Sequence, residues 1–151
     1  MHKVLTWNAR IYAMVSRWLP VLIWASVIFM ASANSDPYKP LPSRWIEPCF
    51  STTSNSPSCA ELLGRVLHIG EYAVLAALTM RALVGKRKLK LIFFLAAFGI
   101  SSLYGLMDEI HQLFVPGRAF QLMDLALDCS GGMIGLIIYT KIRKYGKPKK
   151  I

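Results

Sequence analysis

The sequence predicts an all-α integral membrane protein, a bundle of four transmembrane helices with both the N- and the C-terminus in the cytoplasm. Three observations support this fold class: an apolar composition, four long apolar runs and a one-sided distribution of positive charge. Of the 151 residues, 54% are hydrophobic, and the mean hydropathy is +0.41. That composition is too apolar for an ordinary soluble domain and is typical of a small polytopic membrane protein.

Four apolar runs reach or approach the roughly 20 residues that a helix needs to cross the hydrocarbon core of a bilayer. They are Leu19–Ala33, Leu62–Leu83, Leu91–Met107 and Phe120–Tyr139. The sequence therefore predicts a single domain over residues 1–151, with transmembrane helices at approximately 14–33, 62–83, 91–112 and 120–140. An outer loop at 34–60 and a basic cytoplasmic tail at 141–151 complete the prediction.

The first run is short by itself, but Ile11–Trp18 extends it with Arg17 as its only charged residue. Pro20 then falls near the first turn of the membrane-embedded part, where a missing backbone N–H costs little. The same segment also resembles a secretory signal peptide, because basic residues precede an apolar stretch ending in Ala31-Ser32-Ala33. We expect a retained first span and leave cleavage open as the alternative.

Positive charge collects in three segments: the N-terminus, the connection after the second run, and the C-terminal tail. Its carriers there are Lys3, Arg10, Arg17, Lys86, Arg87, Lys88, Lys90, Lys141, Arg143, Lys144, Lys147, Lys149 and Lys150. They are 13 of the 18 Lys and Arg residues, and none of the 8 acidic residues lies in these segments. The positive-inside rule places all three segments in the cytoplasm and every acid in the outer half of the protein. Because the charges flank apolar runs, we expect no nucleic-acid partner.

The first outer loop, 34–60, is rich in Pro, Ser, Thr and Asn and is expected to have little regular structure. It contains Cys49 and Cys59. In an oxidising compartment these two could form a disulfide, and two free thiols remain the alternative. Cys129 lies in the last apolar run, where a packing role is expected.

The second run carries a polar stripe in the segment ELLGRVLHIGEY. Glu61, Arg65, His68 and Tyr72 are spaced four, three and four residues apart, so they share one helix face, and Glu71 lies beside them. His68 and Tyr72 would lie one to two turns below the outer surface. Burial of unpaired polar groups there costs at least a few kcal/mol. We therefore expect this stripe to face other helices rather than lipid.

The third run ends in DEIHQLFVPGR, in which Asp108 and Glu109 arrive where the hydrocarbon region should end. If the helix continues, Asp108, His111 and Gln112 share one face. Pro116 and Gly117 then favour a turn, with Arg118 after it.

The fourth run begins AFQLMDLALDCSGGMIG. Asp124 and Asp128 are four residues apart and share a face, and the same stripe continues to Gly131 or Gly132 and then Gly135. Small residues allow a neighbouring helix to approach closely. Three helices should thus deliver their polar residues to one level of the membrane, where these groups satisfy one another.

The three segments HIGEYAVLAAL, DEIHQLFVPGR and DLALDCSGGMIG together resemble the VanZ-like family of small bacterial membrane proteins, over roughly Leu62–Tyr139. The resemblance implies that the family's motif positions are His68, Tyr72, Asp108, Glu109, Gln112, Arg118 and Asp124. Asp128 falls where members commonly have Asn or Asp, whereas Arg65 departs from the lysine that members often have before the histidine. The resemblance also implies the bacterial cytoplasmic membrane, and the family's namesake is associated with resistance to teicoplanin, a glycopeptide that binds cell-wall precursors.

Three functions fit these residues. A binding or modulating protein would use Arg65, Tyr72, Gln112 and Arg118 to hold a lipid-linked cell-wall precursor or a glycopeptide, because guanidinium groups suit bidentate anions. A membrane-embedded hydrolase or transferase would use His68, Asp108, Glu109 or His111 in catalysis, with a divalent metal at Asp124 and Asp128. A purely structural polar network is the third. Membrane lipids are expected partners in each case, while the cofactor and the oligomeric state stay open.

Overall fold

The computed structural model describes residues 2–35 and 59–145, and this part of the chain contains four helices and no strand. The helices are α1 (His2–Ser32), α2 (Cys59–Val84), α3 (Leu91–Gln112) and α4 (Leu122–Tyr145). Each contains a stretch long and apolar enough to span a membrane, at Ile11–Ser32, Leu62–Val84, Leu91–Gln112 and Leu122–Tyr145. The predicted all-α architecture with four transmembrane helices is confirmed. The side on which the termini lie stays a prediction.

The helix bounds agree best where the sequence contains a helix breaker. α3 ends at Gln112, just before the predicted turn, in which Gly117 has a φ of +81°. α1 begins at His2, well before the predicted span of about 14–33, while its membrane-spanning stretch is Ile11–Ser32. Pro20 lies inside the helix. No proline or glycine precedes Pro20 to end the helix earlier. At 1.5 Å per residue its 31 residues extend over about 46 Å, more than the roughly 30 Å of hydrocarbon.

The predicted bridge between Cys49 and Cys59, and most of the predicted outer loop, lie outside the described residues. The last six residues of the basic tail also lie outside them.

Helices α2 and α4 approach each other closely along two glycines of α4. A Cβ atom added at Gly131 would overlap the backbone of Ile69, and one added at Gly135 would overlap the backbone of Ala73. Only glycine therefore permits this approach of the two backbones. The predicted small-residue face of the fourth helix is confirmed, and it brings the middle turns of α2 and α4 together.

Two aromatic side chains form hydrogen bonds that join α1 to α2 and to α3. The indole N–H of Trp24 in α1 donates to the backbone carbonyl of Glu71 in α2, with 2.9 Å between the atoms. The hydroxyl of Tyr104 in α3 donates to the carbonyl of Ala25, at 2.5 Å. α1 is thus fixed to both α2 and α3 by hydrogen bonds that a lipid environment does not weaken by competition.

The opposite end of the bundle is fixed by Arg143 of α4. Its guanidinium donates to the carbonyl oxygens of Gly85 and Arg87, in the connection between α2 and α3, at 2.8 Å each. Gly85 follows the end of α2 with a φ of +52°, a left-handed conformation that glycine adopts without strain. The bundle is therefore tied at both ends. The basic residues of the α2–α3 connection lie at this end, and the acidic residues lie at the other, together with Arg65 and Arg118.

Replacement of Gly135 by alanine tests the close packing of α2 on α4. The added methyl group overlaps the backbone of Ala73, so the helices must separate. We expect the Gly135→Ala variant to lose about 1–3 kcal/mol of stability, measured as a lower midpoint of thermal unfolding in detergent. Gly99→Ala is the matched control, because its added Cβ meets nothing within 4 Å. Equal midpoints for the two variants would contradict the packing described.

Candidate functional site

A cavity of about 60 Å³ lies at the end of the bundle where α1 and α3 end and α2 begins. A cavity of this volume holds about four water molecules or a small polar group. Its walls come from α1, α2, α3 and the α3–α4 connection, namely Ala31, Ser32, Gly64, Leu67, His68, Glu71, Asp108, Gln112 and Arg118. The predicted convergence of polar side chains from separate helices is therefore observed.

His68 connects α2 to both aspartates of α4. Its Nδ1 lies 2.9 Å from Oδ1 of Asp128, and its Nε2 lies 3.7 Å from Oδ2 of Asp124. The first distance is a hydrogen bond that the imidazole donates to the carboxylate. The Asp128 side chain is fully buried, so this contact is its compensation for leaving water. The expectation that His68 faces other helices is confirmed.

Gly105 of α3 makes room for this pair, and sequence reasoning missed its role. A Cβ added there would lie 3.1 Å from Oδ2 of Asp128 and 3.2 Å from Cε1 of Tyr72. A signal for it exists in the sequence, because Ala97, Ser101 and Gly105 form a small-residue stripe at spacing four that continues to Asp108. All four of these residues are buried.

Asp108 and Gln112 form a buried pair in the last turns of α3. The amide Nε2 of Gln112 donates to Oδ2 of Asp108 at 3.2 Å. Gln112 is 1% exposed and Asp108 is 5% exposed. Among the described residues, neither Oδ1 of Asp108 nor Oε1 of Gln112 has a hydrogen-bond partner. The hydroxyl of Ser32 lies beside the Asp108 carboxylate and is itself buried without a partner in hydrogen-bonding geometry among the described residues. The residues of the cavity wall therefore have three buried polar atoms with unused hydrogen-bonding capacity, of which the Ser32 hydroxyl can donate.

Glu109 is fully buried but does not line the cavity. Its Oε2 accepts the backbone N–H of Gln121 at 2.8 Å, immediately before α4 begins. This contact joins the end of α3 to the start of α4. The structure thus gives the predicted catalytic candidate Glu109 a contact that positions the connection.

Four other predicted site residues also lie away from the cavity wall. His111 stacks on the ring of Phe29 in α1, with 4.3 Å between the ring centroids. Tyr72 is fully buried and lies 6.4 Å from the ring of Tyr104. Arg65 is half-buried one turn before His68, and Asp124 reaches the site only through His68. Of the predicted catalytic and binding residues, the structure brings His68, Asp108, Gln112 and Arg118 to the cavity.

Within residues 2–35 and 59–145, no group of three His, Cys, Asp or Glu side chains is arranged to hold a metal ion. Asp124 and Asp128 both face the His68 imidazole, the first at 3.7 Å and the second at 2.9 Å. The divalent metal at this aspartate pair stays a prediction.

The chemistry of the cavity wall is mixed. Arg118 offers guanidinium donors and lies within electrostatic range of the Glu71 carboxylate. Asp108 and Gln112 offer acceptor oxygens, and His68 offers an imidazole oriented by Asp128. Such a wall can bind a small group that carries both hydrogen-bond donors and an anion.

A comparison with protein families matches residues 15–143 to the family described as VanZ/LLP1. The match covers all of the site residues as well as most of α1, which the resemblance from the sequence did not include. Comparisons with curated proteins and with solved structures gave no match.

A double-mutant cycle on His68 and Asp128 tests their contact. His68→Ala leaves the buried Asp128 without its donor, so we expect His68→Ala and Asp128→Ala to destabilise less together than the sum of their separate effects. The expected coupling is about 0.5–3 kcal/mol, measured by unfolding in detergent. The control cycle pairs Asp128→Ala with His111→Ala, whose ring stacks on Phe29, and should be additive. An additive cycle for His68 would exclude the contact.

Proposed function

The chain belongs to the VanZ/LLP1 family, and from that premise we propose that it is a headgroup-binding protein of the bacterial cytoplasmic membrane. In this proposal the cavity faces the outer side and takes the polar headgroup of a lipid-linked cell-wall precursor. By holding such a precursor, the protein changes how a teicoplanin-type glycopeptide reaches it.

The observation that carries this proposal is the pair of unpartnered oxygens in the cavity wall, Oδ1 of Asp108 and Oε1 of Gln112. A polar network that only holds helices together satisfies its buried atoms internally, because each unsatisfied group costs about 1–3 kcal/mol. Both atoms belong to residues that line the cavity, as does the unpartnered hydroxyl of Ser32. In the described part of the chain, the other buried atoms without partners belong to residues away from the cavity wall, namely Tyr72, Glu109, His111 and Asp128. A bound ligand would supply the missing donors.

The position of the cavity supports a headgroup as that ligand. It lies where α1 and α3 end and α2 begins, which is the level at which helices of this length leave the hydrocarbon region. Lipid headgroups and the polar parts of lipid-linked precursors occupy that level. Arg118 adds a planar fork of donors that suits a phosphate or carboxylate.

A second function, hydrolysis or group transfer on the same precursor, is favoured by one specific contact. His68 lines the cavity and is oriented by the buried carboxylate of Asp128, the arrangement in which an acid positions a general base. In that function His68 removes a proton from water or from an acceptor hydroxyl.

Arg118→Lys tests the binding function, because a lysine supplies a point charge but not the guanidinium fork. The probe is a radiolabelled undecaprenyl-diphosphate muropeptide, added to the purified full chain in lipid nanodiscs. We expect roughly tenfold weaker retention of the probe by the variant, corresponding to one charge-assisted hydrogen bond. Lys144→Gln, an exposed change at the opposite end of the bundle, is the control and should bind as the unaltered chain does. Retention unchanged in Arg118→Lys would count against the proposed function.

The same preparation separates binding from catalysis. Incubation of the probe with the unaltered chain should return it intact, since the first proposal requires no bond cleavage. Release of a labelled product, lost in His68→Ala while the variant still folds in detergent, would instead establish the hydrolase or transferase function. Divalent metal content, determined on the same sample, tests the predicted site at Asp124 and Asp128.

A further inference from the structure

We infer that the group held in this cavity is a zwitterion, a primary ammonium carried close to a phosphate or carboxylate. The inference rests on the proposed headgroup-binding function and adds the chemical class of the ligand. It follows from which atoms of the wall are unpartnered, from how the charges around the cavity are balanced, and from where Arg118 lies.

Three buried atoms of the cavity-lining residues have no hydrogen-bond partner within the described part of the chain, namely Oγ of Ser32, Oδ1 of Asp108 and Oε1 of Gln112. The hydroxyl of Ser32 can donate, whereas the carboxylate and amide oxygens can only accept. Gln112 uses its amide N–H on Asp108, so the oxygen of the same amide is left over. Asp108 uses Oδ2 for that contact, and Oδ1 is left over. Both residues are more than nine-tenths buried and both line the cavity. A ligand that completes this wall must donate hydrogen bonds at this point.

The balance of charge indicates that the donor is cationic. Asp128 has the imidazole of His68 against it, and Glu71 has Arg118 within electrostatic range. The groups next to the Asp108 carboxylate are neutral, namely the amide of Gln112, which donates to it, and the hydroxyl of Ser32. The imidazoles of His68 and His111 lie within electrostatic range but are not hydrogen-bonded to it. A buried carboxylate whose hydrogen-bond donors are all neutral is costly, and a cation in the cavity lowers that cost.

An ammonium fits this place better than a metal ion. A primary ammonium carries three N–H donors, and Asp108, Gln112 and Glu71 all contribute acceptor-bearing side chains to the cavity wall. A bare divalent ion needs several close oxygen ligands, and the described residues contain no group of three acidic, His or Cys side chains in such an arrangement. A primary ammonium with a short linker also fits the volume of about 60 Å³.

Arg118 accounts for the second charge of the ligand. It lines the same cavity from the α3–α4 connection, so an anion attached to the ammonium by a short linker meets the guanidinium. Two sources offer this chemistry: the aminoethyl phosphate headgroup of a lipid, and a free amino acid or the amino-acid end of a precursor peptide.

The test is a series of ligands added to the purified full chain in detergent, with the rise in unfolding midpoint as the measurement. Dioctanoyl phosphatidylethanolamine carries both charges and all three N–H donors. Dioctanoyl phosphatidylcholine keeps the charges but has no N–H, and dioctanoyl phosphatidylglycerol lacks the cation. We expect the first to bind roughly 10- to 100-fold more tightly than either other lipid, the value of one or two charge-assisted hydrogen bonds. Free phosphoethanolamine and alanine separate the sources, since binding of these without acyl chains assigns the ligand to solution.

Asp108→Asn should remove the preference for phosphatidylethanolamine, and Lys144→Gln should keep it. If Asp108→Asn does not fold, the comparison of the three lipids on the unaltered chain still tests whether the ligand is a zwitterion. Equal binding of phosphatidylglycerol would overturn the zwitterion but leave headgroup binding intact. Binding of none of the lipids and neither soluble compound overturns the zwitterion, and retention of the muropeptide probe then decides separately whether the protein binds a precursor headgroup. Stabilisation by Mg²⁺ in place of the ammonium ligands would overturn the inference in favour of a cation site.

Discussion

The close approach of α2 to α4 is the constraint on which the rest of the structure depends. Gly131 and Gly135 bring the backbone of α4 against that of α2, and no larger residue allows this distance. Because the helices are that close, His68 reaches Asp128 at hydrogen-bonding distance and the buried carboxylate has its donor. A charged aspartate is tolerated at this depth for that reason, and the glycines are thus part of the electrostatics of the site as well as of its packing.

From this contact outward, the polar side chains fall into two groups with different physical roles. Some carry the architecture: Glu109 joins α3 to α4 through the N–H of Gln121, and His111 packs on Phe29 of α1. Others face a space, and Asp108 and Gln112 keep acceptor capacity that no described residue uses. Glu109 and His111 also have a buried atom without a partner among the described residues, so the cavity is what separates the two groups. Only Asp108 and Gln112 of these four line it, and ligand chemistry therefore follows from the second group.

The distribution of charge gives the bundle two unlike ends. At one end, Arg143 donates hydrogen bonds to backbone carbonyls of the α2–α3 connection. The acidic residues lie at the other end. A site built at one end of a bundle is suited to a molecule that stays in one leaflet. A conduction path would need ionisable groups distributed across the whole thickness, and the described acids do not have that distribution.

The sequence by itself determined the four helices, the end of α3 before Pro116 and Gly117, the glycine face of α4, and the approach of His68 to the aspartates. Each of these follows from helical periodicity, from a breaker or from the cost of exposing polar groups to lipid, which are local or one-helix properties. Only the tertiary structure decided which residues share the cavity. Glu109, His111 and Tyr72 have the spacing of site residues, yet the rotation of α2 and α3 in the bundle and the position of α1 direct them to other contacts. Ser32 and Gly105 lie at the site for the same reason. Packing between helices determines which residues of different helices are neighbours, and the periodicity of a single helix does not show this.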